Sequence, residues 1–402
     1  MLACFELAEK LRAGLSPFTF HLSPFTFHPS LFPPSLPAVR YLIAPDKFKG
    51  TLSAQEVGRI IAEVAREQDA EAKVDILPIA DGGEGTAALL AVQLGAQPRS
   101  METVDALGRP ITAQYFVSGT EAFLDMSAAS GLWQIAKDER QPLRSNTYGT
   151  GVIIRKLIEE GIAPIYVGLG GSATVDAGIG IAAALGCKFR DAAGSLLEAF
   201  PAHFADIDSI EKPSFAETPQ VVGLADVETR LLGPSGAIYT FGPQKGLSPE
   251  EVESLDRDLA KFVDLVEREL GVNHAAVPRS GAAGGLGYGI MTFLEGHLVS
   301  GFAVVAERLK LKERIAAADI VITGEGKLDS QSLQGKGPFG VAASAKAAGK
   351  PVWAIAGTIE QHPGMESYFD RTIALVGGEM TLDVAMGKPE ECLRKRAADF
   401  WA

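Results

Sequence analysis

The sequence has few of the features that mark secreted, membrane-spanning or nucleic-acid-binding proteins. It contains three cysteines, Cys4, Cys187 and Cys392, whose odd number and wide separation predict neither a disulfide framework nor a zinc site. No apolar run approaches the roughly 20 residues that a membrane helix needs. Positive charge is in deficit, with a net charge of −13, which argues against nucleic acid or an anionic membrane as a partner. These properties predict a cytoplasmic protein.

Several common catalytic signatures are also missing from the sequence. There is no G-x-x-x-x-G-K-[ST] phosphate loop and no protein-kinase signature set. No G-x-S-x-G motif supports a serine hydrolase, and no strand leads into a dinucleotide-binding G-x-G-x-x-G with an acidic residue at the right distance. The best-known nucleotide folds are therefore not indicated.

What the chain does contain is globular composition and an unusual amount of glycine. Apolar residues make up 47% of the 402 residues, enough for a large core, and the length favours two domains. The 44 glycines are clustered in motifs and not spread as low complexity. Residues 1–38 carry a near-tandem S-P-F-T-F-H repeat followed by prolines, and we expect a disordered extension or an upstream start there.

Strand and helix patterns alternate at both ends of the chain, with a sheet-rich block between them. This order predicts an α/β fold in which both chain ends build one Rossmann-like parallel sheet and a second α/β domain is inserted. We place the first domain at 39–78 and 290–402 and the inserted domain at 79–289. Residues 187–220 read as irregular.

The most informative stretch is the glycine-rich run 166–180, YVGLGGSATVDAGIG. An apolar strand enters Gly170 and Gly171, and a helix follows. Glycine allows the backbone amides of such a turn to point inward, and a helix N-terminus behind them favours an anion. Asp176 stands at the helix start, where a carboxylate can hold a cation or a hydroxyl group. The alternative is a tight turn in which glycine serves packing and Asp176 caps the helix.

Similar turns follow other strands and carry charged side chains. In open α/β sheets, the loops beyond the carboxyl ends of the strands form the ligand site. Each group taken singly could be a solvated turn or a helix cap. Together, lysines, carboxylates and glycine loops are the groups that phosphoryl transfer needs, because that reaction depends on charge neutralisation and alignment. The residues therefore indicate a phosphate-handling α/β enzyme that uses Mg²⁺. The carboxylates are Asp81, Glu84, Asp176, Asp226, Glu325 and Asp329.

Seven segments of the sequence, in order, resemble the bacterial glycerate kinase family. The resemblance extends over residues 40 to about 390. It implies ATP-dependent phosphorylation of D-glycerate, usually at the 2-hydroxyl, in a cleft between a Rossmann-like domain and an inserted α/β domain. The segments are 43–50 (IAPDKFKG), 80–86 (ADGGEGT), 147–151 (TYGTG), 168–178 (GLGGSATVDAG), 241–246 (FGPQKG), 281–287 (GAAGGLG) and 322–329 (ITGEGKLD).

From this resemblance, we predict roles for individual residues. We expect Asp176, Asp81 and Lys47 to be catalytic, with Asp176 and Asp226 as Mg²⁺ ligands. The residues expected to bind D-glycerate are Asp46, Lys49, Glu84, Thr147, Thr150 and Lys245. Those expected to bind ATP are Gly170, Gly171, Ser172, Thr174, Gly284, Gly285, Gly287, Glu325, Lys327 and Asp329.

The sequence departs from the family pattern at two motifs, and it leaves alternatives open. Val175 stands where the family commonly has asparagine, and 225–229 (ADVET) stands where its pattern is closer to C-D-V-T-N. The alternatives are a kinase that forms 3-phosphoglycerate, a kinase of a related small hydroxy acid, and a non-catalytic regulator that binds a small acid. The oligomeric state stays open, with a homodimer as one candidate.

Overall fold

The computed structural model describes residues 38–215, 218–329, 337–360, 362–378 and 380–402. The extension predicted over residues 1–38 therefore lies, apart from Ala38, outside the described residues. In the described part of the chain, no helix is both long enough and apolar enough to cross a membrane.

The first sheet combines strands from both ends of the chain. Its five strands are all parallel and follow the order β14-β13-β12-β1-β2. The predicted origin of this sheet in both chain ends is therefore confirmed. The strands are β1 (Arg40–Pro45), β2 (Lys73–Ile76), β12 (Ile320–Leu328), β13 (Val352–Ile359) and β14 (Arg371–Ala374).

The second sheet has six strands in the order β11-β10-β6-β5-β4-β3. The strands from β11 to β5 are parallel, whereas β3, β4 and β5 pair antiparallel, as the alternating pattern over residues 101–126 predicts. The strands are β3 (Gln97–Val104), β4 (Pro110–Ser118), β5 (Glu121–Asp125), β6 (Ile165–Gly168), β10 (Val221–Leu224) and β11 (His297–Val299).

Residues 187–220 are not wholly irregular, and that expectation was wrong. They contain a small antiparallel sheet in the order β8-β7-β9, with two-residue and three-residue strands. Strands this short leave almost no alternation to detect in the sequence. The strands are β7 (Lys188–Arg190), β8 (Leu196–Leu197) and β9 (Ser209–Glu211).

The helices follow the predicted apolar spacing and capping signals. Ser53 and Glu56 form the predicted capping box of α1, and Ser248 and Glu251 form the same motif at α7. The helices are α1 (Ala54–Gln68), α2 (Thr86–Leu94), α3 (Ser127–Ser130), α4 (Tyr148–Glu159), α5 (Ile179–Ala184), α6 (Ala237–Lys245), α7 (Pro249–Leu270), α8 (Ala282–Phe293), α9 (Gly301–Arg308), α10 (Leu311–Ala317), α11 (Gly337–Ala347), α12 (Leu382–Gly387) and α13 (Pro389–Ala397).

One hydrophobic core joins the two large sheets. Leu42 and Val321 of the first sheet belong to the same buried cluster as Phe123 and Leu224 of the second. Helices α2 and α9 contribute their apolar residues to this cluster. The second sheet also takes in β11, which lies beyond residue 289. The division into two domains at the stated boundaries stays a prediction.

Candidate active site

A cavity of about 1150 Å³ opens where parallel strands of both large sheets reach their carboxyl ends. Asp46 follows β1, Gly170 follows β6 and Asp226 follows β10, and all three line the cavity. The end of β12 adds Glu325 and Lys327. This is the position at which open α/β sheets bind ligands.

The wall of the cavity carries both signs of charge, with an excess of carboxylates. An anionic ligand here would meet repulsion that the lysines alone do not balance, so a cation would complement the site. The carboxylates are Asp46, Asp81, Glu84, Asp226, Glu325 and Asp329, and the lysines are Lys47, Lys49, Lys245 and Lys327.

Asp46 and Asp81 both line the cavity, and the negative charge of Asp81 disfavours a second negative charge on Asp46. Asp46 is 9% exposed. Burial, and then the negative charge of Asp81, raise the pKa of Asp46 to about 7, although hydrogen bonding to the Lys47 amide and the charges of Lys47 and Lys49 oppose the shift. A carboxyl group that titrates near neutral pH can accept a proton from a substrate hydroxyl group.

The loop that carries Asp81 and Glu84 is fixed by groups from other elements. The Lys47 ammonium donates a hydrogen bond to the Glu84 carbonyl oxygen. The Asp125 carboxylate, at the end of β5, accepts from the amides of Gly85 at 2.9 Å and Ala87 at 3.1 Å. Burial raises the pKa of Asp125 to about 6, which these amides partly oppose. Asp125 thus holds the N-terminus of α2 beside the cavity.

Asp226 lines the cavity and also holds a helix. Its carboxylate accepts from the Ser300 hydroxyl at 2.5 Å and from the Phe302 amide at 2.7 Å, at the N-terminus of α9. A carboxylate at this position is stabilised by the helix dipole. The candidate metal ligand therefore already has structural partners.

Asp176 lies away from the cavity wall and is 0% exposed. One oxygen accepts from the Thr147 amide at 2.8 Å, the Thr147 hydroxyl at 2.7 Å and the Gly180 amide at 3.0 Å. The other accepts from the Gly178 amide at 3.2 Å. Burial raises the pKa of Asp176, opposed first by the bonds from Thr147. Direct contact with a substrate would require Asp176 to give up some of these bonds.

Two glycines explain how the glycine-rich loops pack. A Cβ on Gly170 would overlap the Cα of Gly83, so the loops after β6 and before α2 pack main chain against main chain at this point. Gly284 has φ +67°, and a Cβ there would overlap the carbonyl oxygen of Thr174. The 281–287 motif therefore supports the 168–178 loop from behind.

Of the residues predicted from the sequence, thirteen line this one cavity. The others lie behind it, where they pack or form hydrogen bonds. The lining residues are Asp46, Lys47, Lys49, Asp81, Glu84, Gly170, Gly171, Ser172, Asp226, Lys245, Glu325, Lys327 and Asp329. Those behind the wall are Thr147, Thr150, Thr174, Asp176, Gly284, Gly285 and Gly287.

Sequence reasoning overlooked Asp125, Gln244 and Leu132. Asp125 ends a strand, so the strand-end rule that found Asp226 could also have found it. Gln244 and Leu132 line the cavity, yet neither is ionisable. Only the tertiary structure shows that they face the site.

The carboxylates of the site fit Mg²⁺, although the described residues form no complete set of ligands for it. Among the described residues, no group of three or more histidine, cysteine or carboxylate side chains is arranged to hold a metal ion. Mg²⁺ in phosphoryl-transfer sites commonly uses one or two carboxylates together with substrate phosphates and water. The interacting pair Asp46 and Asp81 provides such a partial donor set.

The fold and cavity together define a class, an α/β protein with a mixed-charge, glycine-lined cavity at its strand ends. Comparison with known proteins identifies the family. The model of the glycerate kinase family matches residues 41–402, so the chain belongs to that family and is a glycerate kinase.

Named relatives and a solved structure agree with this assignment. The glycerate 2-kinase of Escherichia coli K12 is 38% identical over 86% of this chain and 93% of its own length. The glycerate kinase of Halalkalibacterium halodurans is 37% identical over 89% of this chain and 96% of its own. A crystal structure of a protein from Salmonella typhimurium LT2, described as a "putative glycerate kinase 2", superposes with a TM-score of 0.77 at 37% identity, covering 90% of this chain and 97% of that one.

Proposed function

We propose that the protein transfers the terminal phosphoryl group of ATP to the 2-hydroxyl group of D-glycerate, with Mg²⁺ as the metal. The observation that carries the proposal is that strand ends of both sheets present lysines, carboxylates and glycine-loop backbone in one cavity. The position of transfer is proposed because the E. coli relative is named a glycerate 2-kinase.

The phosphates of ATP are assigned to the loop 170–172. Gly170 and Gly171 bring main chain to the cavity wall, and the buried Ser172 adds a hydroxyl group. Backbone amides in such a loop bind phosphate oxygens without a counter-charge. Gly284, Gly285 and Gly287 act in this proposal by supporting the loop.

The carboxylate of D-glycerate is assigned to Lys47 and Lys49, which lie at the end of β1. The neighbouring Asp46 is assigned to the metal in this proposal, because its pKa of about 7 is that of the metal-free cavity and a bound cation would lower it. Asp176 is assigned a positioning role in this proposal. Its bonds to Thr147 and Gly180 fix the start of α5 behind the phosphate loop.

Asp46 and Asp81 would hold Mg²⁺ beside the phosphates. When bound, the ion would neutralise charge on the transferred group. The chain's own contribution is then alignment, with lysines orienting the acid and the glycine loop orienting the phosphates.

The test is to incubate the purified protein with D-glycerate, ATP and Mg²⁺, follow ADP release, and identify the product by NMR. We expect ADP formation coupled to 2-phosphoglycerate. Formation of 3-phosphoglycerate would keep the kinase and overturn the proposed position. Absence of turnover with D-glycerate, together with turnover of a related hydroxy acid, would overturn the proposed acceptor.

A further inference from the structure

Lys245 is a lysine that lies almost wholly inside the protein, yet its side chain reaches the cavity wall. It is the last residue of α6 and is 2% exposed. Its Nζ donates to the Ser172 hydroxyl at 2.6 Å and to the Thr174 carbonyl oxygen at 2.6 Å. Both acceptors belong to the glycine-rich run 166–180, so Lys245 ties α6 to that run.

These contacts account for two of the three protons of an ammonium group, and both acceptors are neutral. Among the described residues, no carboxylate forms an ion pair with Nζ. A buried ammonium without a paired anion is costly, because water no longer solvates it. An anion that entered the cavity would supply the missing counter-charge.

The surroundings of Lys245 bring the pKa of its amine close to neutral pH. Burial lowers the pKa of Lys245 to about 7, and the negative charge of Asp176 opposes the shift. Two helices, α7 and α8, pack against α6. The buried residues of α7 are apolar, and the titratable residue of α8 is Tyr288. Arg140 donates to the neighbouring Gln244 carbonyl oxygen at 2.8 Å.

We propose that Lys245 is a ligand-responsive cation, whose ammonium contacts an anionic oxygen of the bound substrate, so that binding takes up one proton from solvent. The proton adds to the neutral amine nitrogen, and the new N–H donates to the carboxylate or phosphate oxygen. This inference rests on the proposed function in that the ligands of the cavity are anions. It adds that the Lys245 side chain gains its positive charge when the anion binds.

The proton uptake can be measured by titration calorimetry at pH 8 in two buffers of different ionisation enthalpy. One arm uses D-glycerate alone, and the other uses a non-hydrolysable ATP analogue with Mg²⁺. We expect up to about one proton to be taken up in one arm, which identifies the anion that Lys245 contacts, because a nearby anion raises the pKa of an amine. Uptake should diminish toward pH 6, where the free amine is already protonated.

Lys245→Met should abolish the uptake and weaken binding in that arm by about tenfold to a hundredfold, the loss expected for a hydrogen bond to a charged group. Lys245→Arg stays charged and should bind without taking up a proton. The matched control is Lys212→Met, because Lys212 is a partly buried lysine paired with Glu295 away from the cavity, and this variant should keep the uptake.

Binding without proton uptake in either arm would overturn the inference, as would uptake that persists in both Lys245 variants. If Lys245→Met does not fold, the arginine variant and the wild-type protein still decide the matter. Turnover of D-glycerate without proton uptake on binding would refute the role of Lys245 alone. Failure of both probes to bind would refute this inference and the proposed function together.

Discussion

Asp176 shows how one residue can match a catalytic pattern while its geometry favours a structural task. The sequence places a carboxylate directly after a glycine loop, which suits a base or a metal ligand. The structure surrounds both oxygens with donors from Thr147, Gly178 and Gly180.

We predict that Asp176→Asn lowers the free energy of unfolding by about 1 to 3 kcal/mol, because an amide NH₂ would face backbone donors that now bind the carboxylate. Turnover should fall together with stability. Chemical denaturation and steady-state kinetics measure the two effects. Asp256→Asn is the control, since Asp256 is partly exposed and accepts from the amide of Gly233. A loss of turnover above tenfold with unchanged stability would instead support the catalytic assignment.

At the scale of elements, the site depends on loops that meet through glycine. Gly170 follows β6, and Gly83 precedes α2, yet the two main chains lie in contact. Carboxylates at the ends of other strands then fix the helices behind these loops. Asp125 holds α2, and Asp226 holds α9.

We predict that Gly170→Ala separates these two loops, because the added methyl group has no space against Gly83. Overpacking of this kind costs about 1 to 3 kcal/mol of stability, and the displaced phosphate loop should lower kcat/KM at least tenfold. The control is Gly387→Ala on α12, where a Cβ has nothing within 4 Å. Near-normal kinetics and stability for Gly170→Ala would show that the contact is not required.

At the scale of the whole molecule, the carboxylates of the site make stability depend on pH. Asp46 has a pKa of about 7 and Asp125 a pKa of about 6, both above the ordinary value of 3.8. Between pH 4 and these values, the folded state binds more protons than the unfolded state does. Stability therefore falls as pH rises through this window, by up to about 1.4 kcal/mol per pH unit for each proton.

We predict that the ligand-free protein loses stability between pH 4 and pH 7, and that Mg²⁺ raises its melting temperature more at pH 7.5 than at pH 5. Thermal unfolding with and without Mg²⁺ measures both effects. Asp46→Asn should reduce the pH slope and the Mg²⁺ effect. Asp264→Asn, on the exposed face of α7, should change neither. Equal stabilisation by Mg²⁺ at both pH values would contradict the proposed metal pair.

Much of the fold could be predicted from the sequence because its signals are local. The apolar spacing and capping box of α1 are contained within residues 53–64, and the strand from Val221 to Leu224 stands out as a short apolar run. The three-stranded sheet within residues 187–220 was missed because its strands are too short to show a period.

The sequence by itself determined the α/β class, the origin of one sheet in both chain ends, and the set of glycine and carboxylate loops from which the site is built. Those properties follow from residues that are neighbours in the chain. The tertiary structure decided which loop residues face the cavity. Lys245 reaches Ser172 across 73 positions, whereas Asp176, four residues beyond Ser172, is enclosed by backbone donors. Such distinctions depend on which main chains come together, and a linear pattern cannot encode that proximity.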